Sequence, residues 1–571
     1  MNVHTLRRTI WTTAAASAMA VSLSGAPADA AARTTWYVSA TAEAGGSGSY
    51  RAPFHTLADV ERASRPGDTI IVLPSPASSP PLDGGIALKP GQKLIGYGPK
   101  VTAQALAAAP RITNSSGSGH SGDAVELADG AEVSNLVITG AHRGGVYGSD
   151  VTGVQVHGND ISGTNTSCTA GFFIKPFTYP TTTAGVGKSK PEGHTNGWAG
   201  VMVDEEHARG SVSISDNVVH DGACGDGIDL RISGTAHTHA TVTNNLVTRM
   251  RNGGDEDSLL AIGMATTDTA RLAADLTGNT ERSNGASESD SEGIFAYPGG
   301  ASTLMADIHR NTFEHGVGGT SPSGRSANGI EFVTLDGNPH ASVTVADSTF
   351  YDDPGDMVQE LNWGVNSAMR LTLDHVTVSH TTGAGDIGTL PFNNGDCLLE
   401  SNGGSGTTTS LLIAHSRLTG CANNGLTVHS NVVNGNAPAS DLAFTVDDSV
   451  IRGNRAHNLR VNNLTRLTRL TGVVQNSDLS HSQGDNTAFD QNHAATTSST
   501  IDLGGGTLGS RGHNCLDSAG RYAAETTSYD IMAEHDWWGR PSGPIPGQTA
   551  MIDGTITTGF PLDRPTHPCT G

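Results

Sequence analysis

The chain has 571 residues, with 33 basic and 56 acidic side chains, a formal charge of −23, and only 5% aromatic residues. Its 73 glycines and 25 prolines interrupt regular structure too often for several compact domains with filled cores, and favour one elongated body with a thin, linear core. Such acidity excludes nucleic acid and anionic membrane as partners, since both need a basic surface, and disfavours a polyanionic ligand unless a cation bridges the two.

In chain order, residues 1–30 read as a signal peptide. Arg7 and Arg8 open it, an apolar run from Ile10 to Leu23 follows, and Ala28-Asp29-Ala30 supplies small residues for cleavage. That run is short for a membrane span, and no second one exists. The mature protein is therefore expected to be secreted. Six cysteines, Cys168, Cys224, Cys397, Cys421, Cys515 and Cys569, suit an oxidising compartment. Many pairings are open to them, and neighbouring order favours Cys168–Cys224, Cys397–Cys421 and Cys515–Cys569.

Residues 33–110 hold a strand at Trp36-Tyr37-Val38-Ser39, a small amphipathic helix near Thr56–Ala63, and Pro66-Gly67-Asp68-Thr69-Ile70. An irregular repeat then takes over. Each unit has an alternating strand, a bend and a further apolar residue, as in VSISDNVVHDG, ATVTNNLVTRM and VTVADSTFYDD. The bends fall at Asn217, Asn245, Asn279, Asn311, Ser348, Val376, Ser416, Ser449 and Ser477, which is 260 residues over eight intervals, or 32.5 per unit. A second short strand lies between bends, as in GVMVDE, GIDLRI, GIFAY, GIEFV, VQELNW and CLLES. Period-two alternation with Gly, Asn, Ser and Thr between strands excludes helical repeats and describes stacked coils of parallel strands. Polar residues at the bends are expected to hydrogen-bond along the stack.

Both ends carry a resemblance. The start, WYVSA through APFHTLADV and PGDTIIVLP, resembles the N-terminal cap of secreted parallel β-helix proteins of the pectate-lyase-like superfamily, and WWGRPSGP resembles a closing motif of such helices. The resemblance implies an all-β fold, a right-handed parallel β-helix solenoid capped at both ends. Residues 31–110 would form the cap and first coils, 111–500 the helix, and 501–571 the final coils and cap. It also implies an extracellular polysaccharide as partner, for lyases, hydrolases and non-catalytic adhesins share the fold. Oligomeric state is not encoded in these patterns.

Alternation along GIDLR turns Ile228 and Leu230 inward and Asp229 and Arg231 outward. Aligned strands put Asp204, Tyr297, Glu360, Glu400 and His429 level with Arg231, and Met202, Phe295 and Glu331 level with Asp229. One outer face would then stack Asp204, Asp229, Arg231, Tyr297, Glu331 and Glu360. The longest unit inserts about 25 residues before Asp204, with Phe172, Phe173, Trp198 and Lys175 among them, and long loops of this kind often carry function.

Two chemistries compete for this face. A glycoside hydrolase needs two carboxyls in different protonation states. Asp204, Asp226 and Asp229 are the first candidates, with Glu205 and Glu331 behind. The Gly-Asp-Gly-Ile-Asp run resembles the Asp-bearing strands of polygalacturonase-type hydrolases, although their Gly-His-Gly and Arg-Ile-Lys motifs are absent. A polysaccharide lyase would use Arg231 as base and Ca²⁺ held by Asp204, Glu205 and Asp229, with Lys175 in reserve. Lysine is missing after residue 190, which counts against a later base. Trp198, Tyr297, Glu360 and Lys175 would contact sugar. The third reading is a non-catalytic binding scaffold. The hydrolase leads.

Overall fold

The structure, a computed structural model, describes residues 33–571 apart from 101–107, 175–176, 179–188, 191–193, 252–257, 285–289, 317–326, 383–394, 431–439, 464–467, 492–498, 518, 528, 545–551, 566–568 and 570–571. The expected signal peptide lies outside the described residues.

Each full coil gives one strand to each of three parallel sheets. The alternating strands form the first, 17 strands from Thr35–Val38 to Ile556–Thr557. In His237–Thr243, Thr238, Ala240 and Val242 are buried while His239 between them is exposed. After the bend, where the sequence pattern shows only one apolar residue, a strand of three residues such as Val218–His220 builds an 11-stranded second sheet. The short strands between bends make the third, which includes Val201–Glu205, Ile228–Ile232, Ser258–Thr266, Asp290–Pro298, Ala327–Thr334 and Val358–Asn362 in parallel succession. Crossovers between parallel neighbours run right-handed. The chain is thus a right-handed parallel β-helix, the fold its repeat and caps imply.

The core is a column of Val, Ile and Leu from the three inner faces, with Phe313 stacked on Phe350 at 4.3 Å. A buried polar ladder climbs its corner. Asn159 N–H donates to Asn217 Oδ1 (3.1 Å), Asn217 to Asn245 (3.0 Å), Asn245 to Asn279 (3.0 Å), Asn279 to Asn311 (2.8 Å) and Asn311 to Ser348 Oγ (3.1 Å). It resumes from Val376 through Ser416, Ser449 and Ser477 to Asn514. Bend residues satisfy the backbone donors that each corner would otherwise strand inside the protein. Their role is structural, as expected.

At the N-terminal end the helix Leu57–Ala63 buries Leu57 and Val60, and Thr56 caps it by accepting the Asp59 N–H at 3.2 Å. All six cysteines are paired in neighbouring order, with Cα separations of 5.1, 5.6 and 5.5 Å for Cys168–Cys224, Cys397–Cys421 and Cys515–Cys569.

Candidate functional site

The outer face of the third sheet carries two rows that the register fixes. Met202, Asp229, Gly263, Phe295 and Glu331 stand in one; Asp204, Arg231, Ala265, Tyr297 and Val333 stand in the next. His429 continues the Arg231 row, as aligned from sequence. Glu360 and Glu400 do not, and this corrects the expected alignment. Val358 and Leu398 occupy the inward anchor positions, so Glu360 and Glu400 also turn inward, level with Phe332. Leu361 takes the outward place and packs with Phe295, Tyr297, Val333 and Leu399. Burial pushes Glu360 up to about 7, and burial with repulsion from Glu360 raises Glu400 well above the usual carboxylate range. These two form a proton-holding pair inside the column, away from the outer face.

Asp226 and Asp229 form a second pair, fully buried, at the start of Ile228–Ile232. Asp226 Oδ1 accepts the Leu260 N–H at 2.7 Å, and its other oxygen takes a hydrogen bond from Asn196 Nδ2. The same amide reaches Asp229 Oδ2 at 3.4 Å. Burial, then the charge of Asp229, drives Asp226 well above the carboxylate range; burial also lifts Asp229 to about 8. The pair therefore retains a proton at neutral pH. Asn196 comes from His194–Gly197, the strand that ends the long insertion and pairs antiparallel with Ala170–Ile174. No sequence signal singled it out beyond its place two residues before Trp198.

Beside this pair, Arg231 Nε donates to Asp204 Oδ1 at 2.8 Å and Nη2 donates to Oδ2. Burial alone would lower the Arg231 pKa, but the bond to Asp204 outweighs it and holds the guanidinium above its ordinary value. That is the wrong direction for a base. Both side chains remain partly open, at 35% and 18% exposure. Parallel-sheet geometry puts the Cα atoms of Asp204 and Asp229 about 8 Å apart, within reach of a sugar and a water between them.

The other candidates scatter. Glu331 shares the row of Asp229 but stands three strands away, about 14 Å along the stack, where Asn328 Nδ2 donates to it at 3.1 Å. Tyr297 is 3% exposed and donates its hydroxyl to Asp336 at 2.7 Å. Trp198, 7% exposed, packs on Tyr147 at 5.3 Å and under the Arg143 guanidinium at 4.1 Å. Arg143 is in turn fixed by Asp123 at 3.1 and 2.5 Å, a second ion pair not foreseen from sequence. Lys175 lies outside the described residues. Glu205 faces the core, level with Ile232, and burial with repulsion from Asp150 and Asp204 pushes it up to about 8.

These residues do not fit calcium, which wants six or more ionised or carbonyl oxygens around one point. Asp204 has both oxygens on Arg231, and Glu205 turns to the opposite face of the strand.

Asp226 also belongs to a series. Asp123, Asn328, Asp356, Asp396, Asn424 and Asp485 sit at the equivalent turn, and each accepts a backbone N–H from the next coil, at 2.7 to 3.1 Å. The Asp229 position, three residues on, is also polar in several of these coils, as Glu126, Glu331, Gln359 and Thr427, and Asn328–Glu331, Asp356–Gln359 and Asn424–Thr427 bond across the same spacing.

No family model and no curated protein matches the chain. Among solved structures it is similar to pectate lyase Pel9A (12% identity, 82% of this chain and 78% of that one, TM-score 0.26). It is also similar to DFA-IIIase from Arthrobacter chlorophenolicus A6 without its lid (14%, 67% and 84%, TM-score 0.31) and to the PL6 family alginate lyase AlyGC (10%, 94% and 90%, TM-score 0.24).

Proposed function

We propose that the protein is a secreted glycoside hydrolase that cleaves an extracellular polysaccharide. The observation that carries this reading is the buried Asp226–Asp229 pair, protonated at neutral pH beneath the end of the long insertion and one coil from Asp204. A carboxylic acid that keeps its proton at pH 7 can donate it to a departing glycosidic oxygen. Asp226 and Asp229 are too close to each other to straddle a glycosidic bond, so they act as one acid, with Asp229 the member on the outer-face row. Asp204 is the second carboxylate, oriented by Arg231 toward the water that attacks the anomeric carbon. Tyr147, partly exposed in the Asp229 row and backed by the buried Trp198, supplies an apolar wall for a pyranose ring.

One observation favours a non-catalytic scaffold instead: Asp226 repeats the hydrogen bond of the other turn acids and amides, which serve the coil and not a ligand. What sets Asp229 apart from Glu331, Gln359 and Thr427 at the same position is that it and its turn partner are both acids and both fully buried, and the proposal rests on that pairing.

The test is a panel of neutral and uronate polysaccharides incubated with the intact protein, with and without Ca²⁺. New reducing ends without the ultraviolet absorbance of unsaturated uronates are expected, independent of Ca²⁺. Absorbance that requires Ca²⁺ would replace the hydrolase with a lyase, and silence in both channels would favour the scaffold.

A further inference from the structure

The N-terminal cap holds a cleft of about 680 Å³ that the reaction proposed above does not use. Ser39, Thr41, Glu43, Arg51, Tyr50 and Tyr97 are among its walls. Tyr50 and Tyr97 are 57% and 50% exposed, with ring centroids 6.2 Å apart, and Tyr37 braces Tyr50 edge-on at 5.4 Å. Half-exposed aromatics are costly to leave in water unless something covers them, and here two share one cleft.

The cleft is built before any ligand arrives. Tyr37 N–H donates to Gly48 O (2.8 Å), Gly48 N–H to Ala52 O (2.9 Å) and Phe54 N–H to Tyr37 O (2.8 Å), which pins the loop that presents Tyr50. Any side chain at Gly46 would begin 2.0 Å from Pro53 O, so the loop approaches itself more closely than other residues permit. Tyr97 follows the strand Lys93–Gly96 and is tied by its N–H to Val72 O at 2.9 Å.

From these groups we propose that the cap is a separate binding site for a neutral glycan chain. Tyrosine faces stack on the C–H faces of pyranose rings, while Ser39, Thr41 and the loop peptides offer hydrogen bonds to hydroxyls. Glu43 and Arg51 cancel, so the described walls carry no net charge, and a chain of −23 repels a polyanionic glycan. The cleft sits at the C-terminal ends of the first-sheet strands Thr35–Val38, Thr69–Val72 and Lys93–Gly96, away from the third sheet that carries Asp229. It would anchor the protein on the polymer independently of that sheet.

Isothermal titration of the intact protein with cellohexaose, xylohexaose, mannohexaose and hexagalacturonate tests this. At least one neutral hexasaccharide should bind, the uronate should bind more weakly, and Tyr50→Ala with Tyr97→Ala should weaken binding roughly tenfold or more. Tyr50→Phe with Tyr97→Phe keeps the rings and should keep the affinity, which separates stacking from misfolding. In an Asp229→Asn background, where the glycan is not turned over, Tyr50→Ala with Tyr97→Ala should bring the same loss of binding, so failure at the cap and failure of catalysis are read apart. If no neutral hexasaccharide binds, or the double alanine variant binds like wild type, the proposal is wrong.

Discussion

Asp229 and Glu360 are both buried acids on strands of the third sheet, yet one residue of register separates their roles. Asp229 stands on the outer face beside Arg231; Glu360 points into the column against Glu400. In the proposed reaction the Asp226–Asp229 pair would work as general acid, in its protonated form. Hydrolysis should fall as pH rises through about 8, an alkaline limb that kcat/KM against pH would reveal. The Glu360 pair affects stability instead. Its folded pKa, about 7, lies above the unfolded one, so its contribution is complete below about pH 4 and is lost as pH climbs through 7. Glu360→Gln with Glu400→Gln needs no proton and should flatten that loss, measured as Tm between pH 5 and 8. The Asp204, Asp229 and Arg231 placements were legible because Gly-Ile-Asp-Leu-Arg alternates without ambiguity. Glu360 was not, because Leu361 beside it reads as the core residue, and only the anchor at Val358 shows otherwise.

The coil corner is where elements lock together. Asn245 accepts the Asn217 N–H and donates to Ile214 O at 3.0 Å, all out of contact with water. Asn245→Ala should strand both partners and cost about 2–3 kcal/mol in chemical denaturation. The ladder was readable as a repeat of Asn and Ser at irregular intervals that average 32.5 residues. The second sheet was not, since three residues are too few to show alternation. The disulfide Cys168–Cys224 ties the base of the insertion to the turn two residues before Asp226. Cys168→Ser with Cys224→Ser should therefore reduce hydrolysis about tenfold or more, beyond any loss of folded protein, because Asn196 is no longer held over the acid pair. Circular dichroism beside the rate measurement checks this.

Over the whole molecule, stability and chemistry draw on the same resource: acids placed where water cannot reach them. Asp226, Asp356 and Asp396 accept backbone N–H groups at equivalent turns, so burial of acids near strand starts is a habit of this solenoid. The fold was legible from period, alternation and caps, which are properties of the entire chain. The site was legible only in outline, because sequence shows which acids exist and not which of them hold up a coil. The most direct measurement compares the rate of reducing-end release by wild type, Asp229→Asn and Asp396→Asn, each normalised to folded protein by its thermal transition. Asp396 is buried at an equivalent turn, where burial lifts it to about 7, but stands several coils from Asp204. The account predicts that Asp229→Asn folds and loses roughly 100-fold or more in rate, while Asp396→Asn, whose amide oxygen can accept the same N–H as Asn328 and Asn424 do, keeps its rate per folded molecule. Equal rates for wild type and Asp229→Asn would contradict it.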